Sequence, residues 1–433
     1  MVNNLSNIVF ALEKLVWGVP LIVFLISIHI YLTFKLKFPQ RNTFKGLKYI
    51  ISESDKSNSK EGISSFKSLM SVLAGTLGTG NIIGVASAII IGGVGSIFWM
   101  FISGVFAIAT KYAETFLVLK YRKRKNEKYI GGAMYVLKER IGNKFLAIMF
   151  AVFVLITTLG MGALIQSNAI TSTITENYNV DIVFLSIIIV LICGYILFGD
   201  ERRISNISSV MIPIAVFLYI ISCIYLLVLF KNNILNSIFL IIKEAFNFKA
   251  VGGGILGSSA IYAMSAGMSK GLFTNEAGMG TSPLFDVSVK QKDIKKQSMI
   301  SSTTVFIDTV FLCTITGIIF VASNAYLYTQ NPVSLAQMVF LNLPFGNYIF
   351  VFMIVIFAIA TIPCSGYYGS ISIDFLFNNK KIYVFLYKII YLIFIYIGCN
   401  MEVKLVWAIS SIANAFMIFP NIYMVMYLKD ELE

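Results

Sequence analysis

Apolar stretches long enough to cross a bilayer recur from one end of this 433-residue chain to the other, and no motif constrains the fold as strongly. A run of roughly 18 or more apolar residues crosses a hydrocarbon core of about 30 Å as a helix. Inside lipid the backbone must satisfy its own polar groups, so such runs become helices and not open sheets. A membrane β-barrel would show short segments of alternating polarity, which the chain lacks. Only 13% of the residues are charged and 58% are hydrophobic, against about 25% charged in an ordinary soluble domain. The expected spans are 9–34, 66–92, 95–119, 145–173, 181–199, 204–230, 251–273, 297–322, 347–377, 382–398 and 402–428. The chain therefore reads as an all-α integral membrane protein of about eleven transmembrane helices.

The formal net charge of +13 suggests nucleic acid only until the charges are placed. Lys and Arg gather on one side of the spans, in 35–67, 120–144, 202–203, 270–296, 380–381 and at 429. The other side keeps Lys14, Lys231, Lys243, Lys249 and Lys404, while Lys111 and Lys388 fall within helices. Positive charge stays on the cytoplasmic side, so the N-terminus is expected outside and the C-terminus inside. The basic loops then set topology and imply no nucleic-acid partner. Met1–Asn7 carries no positive charge and no small-residue cleavage site follows the first span, which argues against a cleaved signal peptide. Cys193, Cys223, Cys313, Cys364 and Cys399 are scattered singly, without metal or disulfide spacing, and read as core packing. His29 is the only histidine, which excludes a histidine-based metal site or catalytic triad and leaves a structural role.

Two spans are interrupted by glycine. The second reads Leu73-Ala-Gly-Thr-Leu-Gly-Thr-Gly-Asn81-Ile-Ile-Gly84; the seventh contains Gly252-Gly-Gly254 and then Ser265 to Gly278. Each glycine costs a helix about 1 kcal/mol relative to alanine. Close packing could account for Gly80 and Gly84, but not for Thr76, Thr79 and Asn81 among the glycines, so unwinding is expected. With the first helix set aside, ten helices remain, and the two broken spans open two halves of five. Five is odd, so the second half runs through the membrane in the opposite sense, giving an inverted repeat with its site at the midplane. The organisation is a single transporter domain: 1–65 accessory helix and cytoplasmic linker, 66–230 first repeat, 251–428 second repeat. Half-helix N-termini favour a carboxylate. The opposing carbonyls suit an ammonium or Na⁺, so a zwitterionic amino acid matches both poles.

At these residues the chain resembles the alanine or glycine:cation symporter family. The matching stretches are Leu15-Val-Trp-Gly-Val-Pro20, Gly78 to Ala86, Phe98-Trp-Met100, Ala109-Thr-Lys-Tyr-Ala-Glu114, Gly131-Gly-Ala-Met-Tyr135, Gly271 to Gly278, Phe306-Ile-Asp-Thr309 and Pro420-Asn421. They cover nearly the whole chain. The resemblance implies a LeuT-like fold with one extra N-terminal helix and import of alanine, glycine or a similar neutral amino acid. Na⁺ would be the coupling ion, with no cofactor, and the family placement with the Ile, Lys and Asn richness suggests a bacterial cytoplasmic membrane.

Carried over by position, Gly78, Thr79, Gly80 and Asn81 would meet the substrate carboxylate, Gln166 would hydrogen-bond the substrate, and Gly267 would supply carbonyls near its amino group. Ala74, Leu77, Ala358 and Thr361 would form a Na⁺ site. Two positions depart from the family. Ala360-Thr361 stands where relatives usually have Ser-Thr, which removes one hydroxyl and brings H⁺ coupling in as an alternative. Cys364-Ser365 stands where they more often have Gly-Trp, so Ser365 would admit a somewhat larger or more polar substrate.

Ionisable groups at membrane depth are functional candidates by default. Asp308 could ligate a cation with Asn81, carry a proton, or serve as a buried acceptor. Lys111 and Glu114 share a helix face and read as a structural or gating ion pair. Glu276 reads as a brace near the cytoplasmic side, Lys270 and 286–296 as a solvated loop, and Tyr383–Tyr396 as a lipid-facing belt. A channel is the competing class, but filters are usually built from repeated subunits. A membrane-embedded enzyme would need a catalytic constellation, and Asp308 stands alone as a midplane acid.

Overall fold

The computed structural model describes residues 2–53, 62–125, 128–247, 259–378, 380–401 and 404–432. Among them, eight helices are long and apolar enough to cross a membrane: Ser6–Lys35, Ser96–Lys120, Lys144–Asn177, Glu201–Leu229, Ile294–Ala322, Gly346–Leu376, Lys381–Cys399 and Leu405–Tyr427. The three other expected spans are shorter. The second is interrupted between Ser65–Thr76 and Ile83–Gly92, the fifth contracts to Ile182–Leu197, and the described part of the seventh is Ser259–Asn275.

The order of elements repeats. Each half opens on a broken helix, continues with a long helix (Ser96–Lys120 or Ile294–Ala322) and a short connecting one (Ala133–Glu139 or Pro332–Phe340), and closes with three more helices. The starts are set locally by short polar side chains that accept an orphan backbone N–H. Asn143 caps at 3.0 Å and Asp181 at 2.8 Å in the first half. Asp293 at 3.1 Å and Asn331 at 2.9 Å do the same in the second.

Burial sorts the helices into core and scaffold. The apolar window of Ser96–Lys120 is 83% buried, whereas that of Lys381–Cys399 is 28% buried, so the second faces lipid along most of its surface. The tyrosines of that helix divide accordingly: Tyr383 and Tyr396 lie outward, while Tyr387 and Tyr391 are buried. Tyr387 meets the Thr158 hydroxyl at 3.1 Å and Tyr391 donates to the Ile362 carbonyl at 2.7 Å. The belt reading holds for one face only. All five cysteines are buried and free, as core packing requires.

The N-terminal helix packs against the bundle. Its chain turns at Trp17-Gly18, ahead of Pro20, where the second helical piece begins. Trp17 donates to the Ser411 carbonyl at 3.0 Å, and Ser265 donates to the Trp17 carbonyl at 3.1 Å. His29 meets the Thr110 hydroxyl at 2.6 Å, a structural contact.

The linker after the first helix contains a helix of its own, Thr43–Glu53. Two expectations need correction. Lys270 lies within Ser259–Asn275, not in a loop, with its ammonium 4.7 Å from the Trp407 ring centre. Asp286 is fully buried, and accepts from Ser68 at 2.9 Å, Gln297 at 2.8 Å and Ser301 at 2.6 Å. A carboxylate there is held by three donors, the usual condition for burying one, so that part of 286–296 is not solvated. The basic stretch 120–144 forms a small hairpin, Lys123–Lys125 against Lys128–Ile130. Near it Glu431 pairs with Lys120 at 2.9 Å and Arg140 at 2.9 Å. The Tyr121 hydroxyl first, then Lys120 and Arg140, hold the Glu431 carboxyl down at about 2.

Candidate functional site

The first break arises where Ser65–Thr76 runs out of regular backbone. Leu77 leaves the helix at φ −74° and ψ 81°, Gly78 is extended, and Thr79–Asn81 make a single 3-10 turn before Ile83–Gly92 resumes. Gln166 enters this gap from the end of a π-helical segment, Thr158–Ile165. Wide turns of this kind are frequent at functional sites. The Gln166 Oε1 atom accepts from the Thr79 hydroxyl at 3.1 Å and from the Thr79 N–H at 3.5 Å. A methyl group on Gly78 would lie 3.1 Å from Thr361 Oγ1 and 3.2 Å from Gln166 Nε2, a tight fit that would press both side chains away from the break. Thr361 donates to the Ala74 carbonyl across the gap at 2.8 Å, and also lies 2.9 Å from its own helix's Phe357 carbonyl. Ala358 lies one turn earlier on the same helix face as Thr361, and both Ala358 and Leu77 are fully buried.

The second break falls at 276–282, later in the chain than the glycine pattern suggests. Ser259–Asn275 is continuous, and the chain then passes through left-handed backbone at Glu276 (φ 54°), Gly278 (φ 87°) and Gly280 (φ 73°) before the short helix Pro283–Asp286. Gly267 is thus in an intact helix. A methyl there would strike the Ser96 carbonyl at 2.2 Å, so this glycine permits close helix packing. The structure does not bring Gly267 to the break. The run 252–254 lies outside the described residues.

Three of the sequence motifs converge on that second break. Glu114 Oε2 accepts from the N–H groups of Gly278 at 3.1 Å and Gly280 at 3.2 Å and from Asn421 at 2.8 Å. Asn421 also donates to the Gly278 carbonyl at 2.8 Å, and Lys111 donates to the Asn275 carbonyl at 3.0 Å while lying 4.0 Å from Glu114. Lys111 and Glu114 are wholly buried, so the ion pair braces the irregular chain.

The two breaks share a closed cavity of about 30 Å³, whose walls include Gly78, Gly80, Gln166, Thr361, Ser365 and Glu276. Ser365 fits because Gly162 has no side chain; a methyl there would come within 2.3 Å of the Ser365 β-carbon. Phe273 closes one end, its ring tilted against that of Trp407 with centres 4.8 Å apart. At the other end Phe285 stacks on Tyr367 at 4.7 Å and meets Tyr368 at 5.4 Å. Beyond that layer is a vestibule of about 580 Å³ whose lining includes Tyr129, Gly131, Asp200, Glu201 and Asp374. It opens among the loops that carry the basic residues.

A second polar cluster adjoins the cavity. Asp308 sits in another π-helical segment, Phe306–Cys313, and is completely buried. The Asn81 amide donates to Asp308 Oδ1, and Thr309 donates to Oδ2 at 2.9 Å. Asn275 reaches Thr309 at 3.1 Å, so this cluster links the two breaks. The Asn81 Oδ1 atom has no hydrogen-bond partner.

The structure therefore brings together Gly78, Thr79, Gly80, Gln166, Thr361 and Ser365, places Ala74 beside Thr361, and sets Asn81 and Asp308 in contact next door. Sequence reasoning missed Tyr368 and the Phe273–Trp407 pair, and read Glu276 as a brace where the structure also places it in the cavity wall. An acid inside a glycine-rich stretch at membrane depth was the available signal for Glu276.

Two five-helix halves of opposite sense, each opening on a broken helix, with a small cavity between the breaks, define a transporter of the LeuT-like class. A solved structure in that class, MhsT in complex with L-phenylalanine, superposes with a TM-score of 0.62 at 13% identity, covering 86% of this chain and 90% of that one. The chain belongs to the sodium:alanine symporter family, whose model matches residues 2–432. It is 32% identical to the sodium/alanine symporter AgcS of Methanococcus maripaludis over 96% of this chain and 93% of the relative. It is also 32% identical to the probable sodium/glutamine symporter GlnT of Bacillus subtilis, over 99% of this chain and 89% of the relative. The protein is thus a multi-pass membrane symporter of the amino-acid:cation type and not an enzyme.

Proposed function

We propose that this protein imports a small neutral amino acid together with Na⁺ by alternating access in a bacterial cytoplasmic membrane. In this reading eleven helices span the bilayer, the N-terminus is outside, the C-terminus is cytoplasmic, and 66–230 and 251–428 are the two repeats. The observation that carries it is the cavity shared by the two helix breaks, with Gly78 and Gly80 on one wall and Gln166 hydrogen-bonded to Thr79. The break takes backbone N–H groups out of the regular helical ladder, with Thr79 donating to the Gln166 side chain, a setting that favours a carboxylate. Na⁺ would take the Ala74 carbonyl and the Thr361 hydroxyl, 2.8 Å apart, with Leu77 and Ala358 beside them. Asp308 and Asn81 form a second candidate cation or proton site, supported by the partnerless Asn81 oxygen. Ser365 in place of a bulky cap widens the range of side chains beyond alanine and glycine, and the relative named for glutamine sets the direction of that range.

The test is uptake of radiolabelled neutral amino acids into proteoliposomes with and without an inward Na⁺ gradient. Na⁺-dependent uptake of alanine, serine or glutamine is expected. Uptake driven equally by a pH gradient without Na⁺ would keep the substrate class and move the coupling to H⁺, a reading favoured by Ala360 and by the burial of Asp308. Conductance without saturation would overturn symport altogether.

A further inference from the structure

Glu276 has no part in the reading above, yet it is a charged residue in the wall of the cavity. It follows the last helical turn of Ser259–Asn275, in left-handed backbone, and is 8% exposed. Its Oε2 atom accepts a single hydrogen bond, from the Thr281 hydroxyl at 2.7 Å. Among the described residues no basic group forms a salt bridge with it. Lys111 donates to the Asn275 carbonyl and pairs with Glu114, and reaches Glu276 only as a charge at longer range. Beside it in the same wall stands the Tyr368 hydroxyl, 1% exposed and without a hydrogen-bond partner. Gly75 makes room for that hydroxyl, since a methyl there would lie 2.8 Å from it.

A buried carboxylate with one neutral donor is expensive unless a cation joins it. The other broken helix lines the same space at Gly78 and Gly80; its Gly78 N–H donates to the Thr76 carbonyl at 2.9 Å and its Thr79 N–H to Gln166 at 3.5 Å, bonds outside the regular helical ladder that an anion can replace. The cavity is therefore polarised, with its negative pole on the second break and its positive pole on the first. An α-amino acid carries both complementary charges a few bonds apart.

We propose that Glu276 is the counter-ion of the substrate ammonium group, with the Tyr368 hydroxyl as a second acceptor. This assignment rests on the cavity being the amino-acid site. An ammonium suits the setting better than Na⁺ does, because a hard cation needs a cage of several oxygens. The Thr281 hydroxyl beside Glu276 already points its hydrogen at the carboxylate. An ammonium brings its own directed donors and needs only the acceptors present.

The experiment measures binding of radiolabelled L-alanine and L-glutamine to the purified full-length protein. Unlabelled L-lactate, which has a hydroxyl in place of the ammonium, is the competitor, and the half-saturating Na⁺ concentration is recorded in parallel. Glu276→Gln should weaken amino-acid binding roughly ten- to a hundredfold, the range for a hydrogen bond to a charged group. It should shift the Na⁺ constant less than about twofold and reduce the preference for alanine over lactate by the same factor as the affinity. Glu276→Asp, which keeps the charge, should fall between and melt at the wild-type temperature. Amino-acid affinity within about twofold of wild type in Glu276→Gln would overturn the assignment. So would an equal loss for alanine and lactate, or a change confined to the Na⁺ constant. A wild-type protein that binds neither amino acid would remove the amino-acid reading and this assignment together.

Discussion

The two helix breaks face one cavity but are held in different ways. The first, at 77–82, is dressed by neutral groups, Gln166 on Thr79 and Thr361 on Ala74. Only Asn81, at its edge, touches a charge, that of Asp308. The second, at 276–282, is clamped from behind by a buried ion pair and Asn421, and three of its residues are left-handed. One break is thus a loose ring of dipoles and the other a fixed charge frame. A ring of dipoles can re-form around a guest at low cost, because each neutral hydrogen bond is worth only about 1 kcal/mol net. A buried charged brace is all-or-none, so it suits the wall that must keep its shape.

The largest effect that separates them is expected at the brace. Glu114→Gln removes one charge and leaves Lys111 buried without its salt-bridge partner, a loss of about 3–5 kcal/mol. It should lower the melting temperature in detergent and reduce the yield of folded protein. A near-wild-type melt would show that the second break does not depend on its frame. Next comes backbone handedness. Gly280→Ala should cost about 1–2 kcal/mol for left-handed geometry, aggravated by an Asn421 oxygen 2.5 Å from the new methyl. Gly84→Ala is the control, since nothing lies within 4 Å of its methyl, and it should be neutral or stabilising by up to about 1 kcal/mol. Equal melts for the two variants would erase the contrast.

Gln166→Ala probes the looser break. Its melt should stay close to wild type while apparent substrate affinity drops by about tenfold, one hydrogen bond's worth at the upper end. A large fall in melting temperature would make the first break a structural frame as well. The smallest effect belongs outside the membrane. Glu431 has a carboxyl pKa held below its unfolded value, near 2. Its contribution is therefore present in full above the unfolded pKa of about 4.3 and fades as pH falls toward 2. Glu431→Gln should lower the melting temperature by about 1–2 °C at pH 7. The gap to wild type should narrow between pH 4 and pH 3, and a gap that widens there would reverse the sign of this linkage.

How legible each region was in the sequence follows from the same contrast. The first break could be read because glycines and small polar residues fall inside the interruption itself, from Gly75 to Asn81. The second was located only at its far end, around Gly278, because glycine has two uses here. Gly267 and Gly271 are packing glycines in an intact helix, facing Ser96, Met100 and Ser103, whereas Gly278 and Gly280 supply positive φ. Composition alone cannot tell a close approach from a left-handed turn. The convergence of Glu114, Lys111 and Asn421 on the break was equally hidden, since Glu114 and Asn421 are 307 residues apart in the chain. The inverted order of helices, by contrast, followed from counting spans, because hydropathy is a property of each segment by itself.

The Thr361 hydroxyl has one hydrogen and two carbonyl neighbours, Ala74 at 2.8 Å on a different helix and Phe357 at 2.9 Å on its own. Two oxygens that share a proton sit closer together than two oxygens that flank a metal ion. A Na⁺ taking the Ala74 and Thr361 oxygens as ligands would therefore act as a wedge. It would turn the hydroxyl hydrogen aside and drive Gly346–Leu376 away from Ser65–Thr76 by a distance set by the ion's radius. A proton, having no such radius, would leave the gap as it is. On that view the stroke of the transporter is a matter of size rather than charge, and the joint between these two helices is the gauge that measures it.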